Sequence, residues 1–485
     1  MSWWREGVLY QIYPRSFADA DGDGVGDLRG IRERLDYLEW LGVDGIWLNP
    51  VHPSPNADWG YDVADYTGVH PELGTLAGLE ELVAEAAGRG IRVLLDLVPN
   101  HTSDRHPWFS DPAKRDWYVW ADERPNNWVS VFGGPAWTRG ERGYYLHNFL
   151  PQQPDLNWWN DEVRDAFDGI LRFWFDRGIA GFRIDVAHGL VKDRQLRDNT
   201  LAGPGASEGL RRIGQLLDRS MNQPEVHDVF KRWRRICDEY EPRRVLVGET
   251  YVVDVAQMAS FYGAGDDELH LAFNFAFVHS RFEADALREV VEATEAALPP
   301  AAWPVWTASN HDHVRFPTRW CEGDDELGRC ALVALLTLRG TPVLYYGDEL
   351  LLESVEEAGG RDSMGRDPSR TPMPWAAGAW SDPWLPVGAQ TTVGAQQDDR
   401  GSPLHLVRDL IALRRERADL RAGAYAPLDA PTGVWAWRRG DTTAVALNLS
   451  ERTAELDLGG KLLLGTNSAT ASRLPPRAAA IMALR

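Results

Sequence analysis

The stretch GFRIDVAHGL, residues 181–190, points to the fold because it reads as a strand buried on both faces, yet it carries two opposite charges. Arg183 and Asp185 are two positions apart, so on a strand both side chains point to the same face. Burial of such a pair costs several kcal/mol per ion unless geometry and partners offset it. Strands buried on both faces are typical of parallel sheets.

Seven further apolar runs have the same character, and longer helical patterns separate them along the chain. In the first such helix, residues 29–42, Ile31, Leu35, Leu38 and Leu41 form one apolar face. Eight strands, each followed by a helix, favour a (β/α)₈ TIM barrel over a doubly wound sheet. The other predicted strands are VLYQIYP (8–14), GIWLNP (45–50), IRVLLDLVPN (91–100), RVLVGET (244–250), LHLAFNFAF (269–277), VWTASN (305–310) and PVLYYGDE (342–349).

The alternation of strands and helices fails in three places. Residues 104–158, rich in Trp, Pro, Asn and Gly, predict a small inserted subdomain after strand 3, over the barrel mouth. Residues 191–224 form a second polar excursion, and GVWAWRRGDTTAVALNLSERTAELDL (433–458) alternates as antiparallel strands do. The α/β chain is therefore predicted to consist of a barrel in two parts (1–103 and 159–420), an inserted domain (104–158) and a C-terminal antiparallel β-sandwich domain (421–485).

The net charge, the cysteines and the N-terminus indicate which binding partners and which compartment to expect. The 485 residues carry a net charge of −21, which argues against nucleic acid and anionic membranes. Cys237, Cys321 and Cys330 lack metal spacing and are expected to be free thiols in a reducing compartment. Because the N-terminus shows no signal peptide and no apolar run reaches membrane length, a cytoplasmic protein is expected, either a monomer or a weak homodimer.

Polar residues collect where the predicted strands end, and all of these ends should ring one barrel mouth. Helix capping would explain one or two of them, but not an arginine with carboxylates on several strands. The residues are Asp96, Asn100 and His101, then Arg183 and Asp185, then Glu249, then His311 and Asp312, and finally Asp348 and Glu349.

Three carboxylates at one barrel mouth, those of Asp185, Glu249 and Asp312, suggest two classes of reaction. Metal-assisted hydrolysis would use His101, His311 or His313 beside Asp185 and Asp312. Glycoside hydrolysis would use one carboxylate as nucleophile and a second carboxyl group as proton donor. Arg183 favours the second chemistry because a nearby cation lowers the pKa of Asp185, while the apolar run before Glu249 could raise the pKa of that acid.

The residues at these strand ends resemble glycoside hydrolase family 13, the α-amylase superfamily, in its oligo-1,6-glucosidase and α-glucosidase branch. The resemblance extends from about residue 3 to the C-terminus. DLVPNHTS (96–103), GFRIDVA (181–187), VGET (247–250) and SNHD (309–312) are similar to the four signature regions of the family. QPDLNW (153–158) and GTPVLYYGDE (340–349) are similar to two further motifs.

This resemblance implies a role for each matching residue. Asp185 would be the nucleophile that forms a β-glucosyl-enzyme, Glu249 the acid and then the base, and Asp312 the residue that stabilises the transition state. Because the family retains anomeric configuration, the carboxyl groups of Asp185 and Glu249 should lie about 5–5.5 Å apart. The glucosyl unit would be bound by Tyr61, His101, Phe149, Arg183 and His311.

Two motifs of the branch imply an exo mode of action. Asp62 in GYDV and Arg366 in GRDPSRTPMPW would bind the far hydroxyl of the terminal glucose and close the site behind it. A surface salt bridge would explain either residue alone. Val186, directly after Asp185, resembles the α-1,6-preferring members, whereas HGLVKD (188–193) departs from the oligo-1,6-glucosidase pattern.

The segment DADGDGVGDLRG (19–30) predicts a structural calcium loop distant from the sugar. It copies nine positions of an EF-hand loop, although Gly30 replaces the last glutamate and an acidic turn is the alternative. Related members hold Ca²⁺ at this position, and no organic cofactor is expected. The predicted ligands are Asp19, Asp21, Asp23, the Val25 carbonyl and Asp27.

The sequence thus predicts a retaining exo-acting α-glucosidase that releases glucose from short α-glucosides of the maltose or isomaltose type, with possible transglucosylation. The alternative is a glucosyl transferase or isomerase acting on sucrose or a similar disaccharide, which would differ in how well it excludes water. A metal-dependent barrel hydrolase and a non-catalytic transporter-associated scaffold are the remaining alternatives.

Overall fold

Eight parallel strands form the central sheet of the computed structural model, which describes residues 2–388 and 391–484. The sheet has the order β7-β8-β1-β2-β3-β4-β5-β6, and a parallel bridge between Phe273 and Val305 closes β6 onto β7. The predicted barrel is therefore confirmed. Its strands are β1 (Leu9–Ile12), β2 (Gly45–Leu48), β3 (Arg92–Leu97), β4 (Gly181–Ile184), β5 (Val245–Gly248), β6 (Leu271–Ala272), β7 (Val305–Thr307) and β8 (Thr341–Tyr345).

The decisive strand, β4, shows why these runs form a parallel barrel. All four of its residues are buried, which only a sheet covered on both faces allows. Gly181 begins it because a Cβ atom at this position would lie 2.1 Å from the Val245 carbonyl oxygen on β5. Asp96 on β3 is in register with Arg183 on β4, which is in register with Val247 on β5.

Helices surround the barrel where the apolar periodicity predicts them, with local differences. The predicted helix 29–42 is two helices, because Arg34 takes φ −105° and ψ 8° between them. The predicted strand 269–277 is shortened to Leu271–Ala272 with one further bridge at Phe273, since Asn274 then caps a short helix. The α-helices are Trp3–Glu6, Pro14–Phe17, Leu28–Glu33, Leu35–Leu41, Leu76–Gly88, Pro107–Ser110, Asp161–Phe175, Glu208–Ile213, Val226–Asp238, Val255–Ser260, Phe275–Val278, Ala284–Ala297, Phe316–Arg319, Asp325–Thr337, Val393–Asp398, Pro403–Glu416 and Ala418–Ala422; 3₁₀ turns are Pro112–Trp117, Ala187–Gly189, Asp348–Leu350 and Asp367–Ser369.

The residues between β3 and the helix Asp161–Phe175 contain a small antiparallel sheet. Its central strand, Gly143–Leu146, pairs with Trp120–Ala121 and with Trp137–Gly140. The excursion after β4 packs against this segment through Asn127 and Asn199. The side-chain amide of Asn127 donates to the Asn199 carbonyl at 3.0 Å and accepts from the Asn199 backbone N–H at 2.9 Å.

A five-stranded antiparallel sheet ends the chain, with a separate two-stranded sheet of Ala454–Glu455 and Arg473–Leu474. The strand order is β9-β10-β11-β13-β12. The exact limits of the inserted and C-terminal domains stay predictions. The five strands are β9 (Tyr425–Leu428), β10 (Val434–Arg439), β11 (Thr443–Asn448), β12 (Gly460–Gly465) and β13 (Ala478–Leu484).

Within residues 2–388 and 391–484, no helix is both long enough and apolar enough to cross a bilayer.

Candidate active site

The guanidinium group of Arg183 contacts three carboxyl groups at the barrel mouth. Arg183 donates from Nη1 to Asp96 Oδ1 at 2.8 Å and to Asp185 Oδ1 at 2.7 Å. Its Nη2 atom lies 2.8 Å from Glu249 Oε2. The residues predicted on β4 and β5 are thus brought together, and Asp185 and Glu249 lie side by side on one cation.

The protonation of this cluster follows from its burial. Burial raises the pKa of Asp185 and of Glu249, while the positive charge of Arg183 lowers both. Burial also raises the pKa of Asp96, to about 7. The sequence indicated that Arg183 lowers the pKa of Asp185. In the structure its positive charge is also shared with Asp96 and Glu249. One positive charge shared by three buried carboxyl groups favours retention of a proton in the cluster, which a general acid requires.

Asp312 has the opposite environment. Burial raises its pKa, but His311, Arg366 and Arg370 outweigh that effect and hold the pKa well below its usual range. The Nη1 atom of Arg366 and the Nη2 atom of Arg370 lie 3.2 and 3.0 Å from Asp312 Oδ1. A permanently ionised carboxylate beside a protonated acid is suited to stabilising a cationic transition state.

Tyr61 and His311 form the floor of the mouth. Their rings stack with centroids 5.2 Å apart and planes 5° apart. The Tyr61 hydroxyl donates to Asp96 Oδ2 at 2.9 Å and lies 2.5 Å from His311 Nε2. Gln11 donates to His311 Nδ1 at 2.9 Å, so the neutral ring carries its proton on Nε2, which lies 3.2 Å from Asp312 Oδ2.

His101 and Phe149 form one wall beside this floor. Their ring centroids are 5.2 Å apart, and His101 Nε2 lies 3.0 Å from the Tyr61 carbonyl oxygen. Phe149 is half-buried and also packs against the small apolar cluster of Val186, Leu217 and Met221. Residues from β3, the inserted segment and the loop after β4 therefore meet around one position.

Asp62 and Arg366 were predicted to bind the far hydroxyl of the terminal glucose, which stays a prediction; in the structure Arg366 pairs with Asp58 and not with Asp62. Asp62 is fully buried, and its carboxylate accepts from the Ser54 hydroxyl and from the N–H groups of Ala57 and Asp58. Those bonds shape the loop that carries Asp58, whose Oδ1 accepts from Arg366. The sequence signal was a second aspartate three residues before Tyr61, but spacing alone does not decide between two aspartates in one loop.

Two other strand-end carboxylates do not take part in the arginine cluster. Glu349 accepts from the hydroxyls of Tyr10 and Tyr37 at 2.6 and 2.7 Å, and Asp348 accepts from the Tyr345 N–H at 3.0 Å. Both side chains therefore hold the loop after β8 in place.

Val186, directly after Asp185, has a left-handed backbone with φ 44° and ψ 45°. This conformation is rare and strained for a β-branched residue. It directs the Val186 N–H to Glu249 Oε2 at 2.9 Å. The strained residue thus directly follows Asp185 and contacts Glu249, the two candidate catalytic carboxyl groups.

The predicted calcium loop partly converges. Atoms of Asp19, Asp21 and Asp27 lie within 4.8 Å of one another, which forms a hard oxygen set of the kind that Ca²⁺ prefers. Asp23 is not in that group, and its carboxylate accepts from the Val25 N–H at 2.8 Å. Among residues 2–388 and 391–484 this is the one group of acidic, His or Cys side chains with such convergence.

The fold and the mouth together define a barrel glycoside hydrolase, with paired carboxyl groups directly after β4 and β5 and an ionised carboxylate after β7. A family model described as "Alpha amylase, catalytic domain" matches residues 11–423, and the chain belongs to this family, as its motifs predicted.

Known relatives agree with this assignment. The chain is 41% identical over 468 residues to a protein of Rhizobium meliloti (strain 1021) named "Probable alpha-glucosidase", with 87% of this chain and 84% of that protein covered. It is 34% identical to the "Oligo-1,6-glucosidase" of Parageobacillus thermoglucosidasius, with coverage of 87% and 85%. The solved structure of an alpha-glucosyl transfer enzyme matches with a TM-score of 0.92 and 39% identity over all of both chains. A solved trehalulose synthase mutant matches with a TM-score of 0.90 and 30% identity, also over all of both chains.

Proposed function

We propose that this glycoside hydrolase is a retaining exo-acting α-glucosidase that releases glucose from the non-reducing end of short α-glucosides. The observation that carries the proposal is the Arg183 cluster, because it places a candidate nucleophile and a candidate acid on one cation. The names of the relatives support α-glucoside substrates.

In the proposed mechanism, Asp185 attacks the anomeric carbon while Glu249 gives its proton to the leaving oxygen. The glucosyl group is then bonded to Asp185, and the ionised Glu249 takes a proton from water, which attacks the same carbon. The bond between that carbon and Asp185 breaks, the Asp185 carboxylate is released, and the α configuration is restored. Asp312 stabilises the positive charge that develops on the ring.

The exo mode is proposed from the contacts on the far side of the mouth. Arg366 joins Asp58 from the loop after β2 and Asp312 from the loop after β7. An ion pair across those loops closes the space beyond the terminal glucose, so a longer chain has no exit in that direction. Asp58 is the partner of Arg366 in this ion pair, and the predicted contact of Asp62 with the far hydroxyl of the glucose remains part of the proposal.

The test is the reaction with maltose and isomaltose, followed by proton NMR. The glucose from the non-reducing end must appear first as the α anomer, in excess of the anomeric mixture that the released reducing-end glucose contributes, and then mutarotate; an initial excess of β-glucose over that mixture would overturn retention. A maltooligosaccharide blocked at its non-reducing end should not react, and its cleavage would overturn the exo mode. Asp185→Asn should abolish turnover while circular dichroism remains unchanged.

The second candidate is glucosyl transfer or isomerisation with sucrose, which the structural similarity to a trehalulose synthase and a glucosyl transfer enzyme supports. It differs in what attacks the glucosyl-enzyme, a sugar hydroxyl instead of water. Chromatography after incubation with sucrose separates them: glucose and fructose indicate hydrolysis, and an isomeric disaccharide indicates transfer.

We also propose that the loop 19–30 binds a structural Ca²⁺ ion through Asp19, Asp21 and Asp27, with no role in the chemical step. Asp23 and the Val25 carbonyl were predicted as further ligands, and they lie in the same loop.

A further inference from the structure

Exposed apolar side chains gather at one edge of the barrel mouth. Among the residues that the structure describes, six large apolar side chains are more than a third exposed. Three of these follow β5 and β7: Tyr251 at 44%, Val253 at 47% and Val314 at 45%. We name these three residues the apolar rim.

The apolar rim adjoins the reacting carboxyl groups. Tyr251 is two residues after Glu249, and Val314 is two residues after Asp312. The Tyr251 ring stacks on the ring of His313, with centroids 5.9 Å apart, so the loops after β5 and β7 are in contact. Burial raises the pKa of Tyr251, and the negative charges of Glu249 and Asp312 add to the effect, which places the phenol near both.

Part of the apolar rim lies across the barrel from the closed end of the site. Asp58 and Arg366 come from the loops after β2 and β8, the two strands that flank β1. In an eight-stranded barrel β5, which Tyr251 and Val253 follow, is opposite β1, whereas Val314 follows β7, the neighbour of β8. A glucose held at the closed end presents its leaving oxygen to Glu249, the proposed acid after β5, and therefore directs its leaving group towards the residues that follow Glu249.

The side chains of the apolar rim offer few hydrogen-bond partners to a ligand. Valine side chains offer no polar atom, and the Tyr251 hydroxyl lies 3.1 Å from His279 Nε2, which is a partner already. Burial lowers the pKa of His279 and brings that of His313 to about 4, so both rings are neutral at pH 7. A second sugar would need several polar partners, whereas an alkyl or aryl group needs only apolar contact.

We propose that the apolar rim binds the apolar aglycone of alkyl or aryl α-glucosides, and so makes such compounds preferred leaving groups. The inference rests on the proposed function, since it concerns the same site. In the reaction the bond between the anomeric carbon and the aglycone oxygen breaks, Asp185 bonds to that carbon, and the proton of Glu249 goes to the oxygen. The aglycone leaves as a neutral alcohol.

The test is a series of methyl, butyl and hexyl α-glucosides, with kcat/KM measured for each. In the natural protein kcat/KM should rise at least about tenfold from methyl to hexyl, roughly twofold for most added CH₂ groups, as partial burial of each predicts. In the double variant Val253→Ser/Val314→Ser the rise should fall below about threefold. Leu463→Ser, at an exposed apolar position on β12, should keep the natural ratio.

Two outcomes would overturn the inference: a flat series in the natural protein, or the same slope in the double variant. Failure of the proposed function would look different, because no glucose would then be released from maltose or from any member of the series. If the series is flat and the double variant instead changes the molecular mass in light scattering, the apolar rim is a contact between two copies of the chain.

Discussion

At the scale of single residues, the protonation of the carboxyl groups at the barrel mouth depends on how many of them share the positive charge of Arg183. Arg183 contacts Asp96, Asp185 and Glu249, and all of these side chains are largely removed from solvent. Asp312 is set apart because Arg366 and Arg370 hold it ionised. Two carboxyl environments, one short of cations and one rich in them, suit the proposed roles of proton donor and of charge stabiliser.

The first prediction concerns the charge of Arg183. Its cation favours the ionised forms of Asp185 and Glu249, so its removal should raise both pKa values. The acid limb of the kcat/KM profile requires ionised Asp185 and the alkaline limb requires protonated Glu249, so both limbs should move to higher pH in Arg183→Gln. The rate should also fall roughly 10²-fold or more.

The measurement is a pH profile of kcat/KM for Arg183→Gln beside Arg183→Lys. The lysine keeps the charge and loses the forked geometry, so its limbs should stay nearer to their natural positions. Limbs that move to lower pH, or that do not move in the glutamine variant, would contradict the assignment. Circular dichroism reports whether each variant is folded.

The second prediction separates Asp58 from Asp62. Asp58→Asn should lower kcat/KM for maltose about 100-fold, because removal of one partner of a buried charge pair costs ~2–5 kcal/mol. Asp62→Asn should chiefly lower the melting temperature, since its carboxylate accepts three bonds within its own loop. Kinetics and thermal unfolding of the two variants check this, and equal kinetic effects with unchanged stability would contradict it.

At the scale of elements, the periodicity of apolar residues predicted the buried strands of the barrel. It did not predict where local polar contacts end or divide an element. The strands of the barrel were recognisable because burial on both faces demands unbroken apolar runs. The break at Arg34 and the cap at Asn274 involve single residues whose side chains could equally continue an element. The pairing of Arg183 with Asp185 followed from their spacing, whereas its contacts to Asp96 and Glu249 depend on registers between strands.

The third prediction concerns the loop 19–30. Addition of Ca²⁺ to EDTA-treated protein should raise the melting temperature by a few degrees, because an ion bound only to the folded state stabilises it by about 2.7 kcal/mol at 100 times its Kd. Differential scanning fluorimetry measures the shift.

The matched variant for this loop is Asp21→Asn, which removes one ligand but leaves Asp27, the N-cap of the helix Leu28–Glu33, in place. The shift should be lost in this variant, and catalytic rates of the natural protein should be the same with and without Ca²⁺. A melting temperature that does not change on addition of Ca²⁺ would contradict the proposal that loop 19–30 binds this ion.

At the scale of the whole molecule, the barrel and the C-terminal sheet share one hydrophobic core. Trp435 and Trp437 on β10 and Ile481 on β13 belong to the same buried cluster as Leu332 and Leu336 on the helix Asp325–Thr337. The other face of the sheet has a separate small core. A shared core predicts that the two parts unfold together, although the chain exceeds the usual size of a cooperative unit.

The last prediction tests this coupling at Arg439, the final residue of β10. Its side chain is fully buried and donates to the carbonyl of Thr337 on the barrel helix and to those of Leu420 and Gly423. Arg439→Gln leaves these carbonyls without partners and should lower the melting temperature by roughly 3–10 °C. Arg438→Gln, one residue earlier and exposed, should change it by less than about 1 °C.

Scanning calorimetry distinguishes coupled from independent unfolding in these two variants. Because the lost bonds cross between the sheet and the barrel, a coupled molecule melts in one transition that moves as a whole in Arg439→Gln. An early separate transition for the sheet, with the barrel transition and its kcat/KM for maltose unmoved, would show that the common core does not join the two parts. Rates per folded molecule at 25 °C should match the natural protein in both variants, since Arg439 lies on the C-terminal sheet and contacts none of the mouth residues.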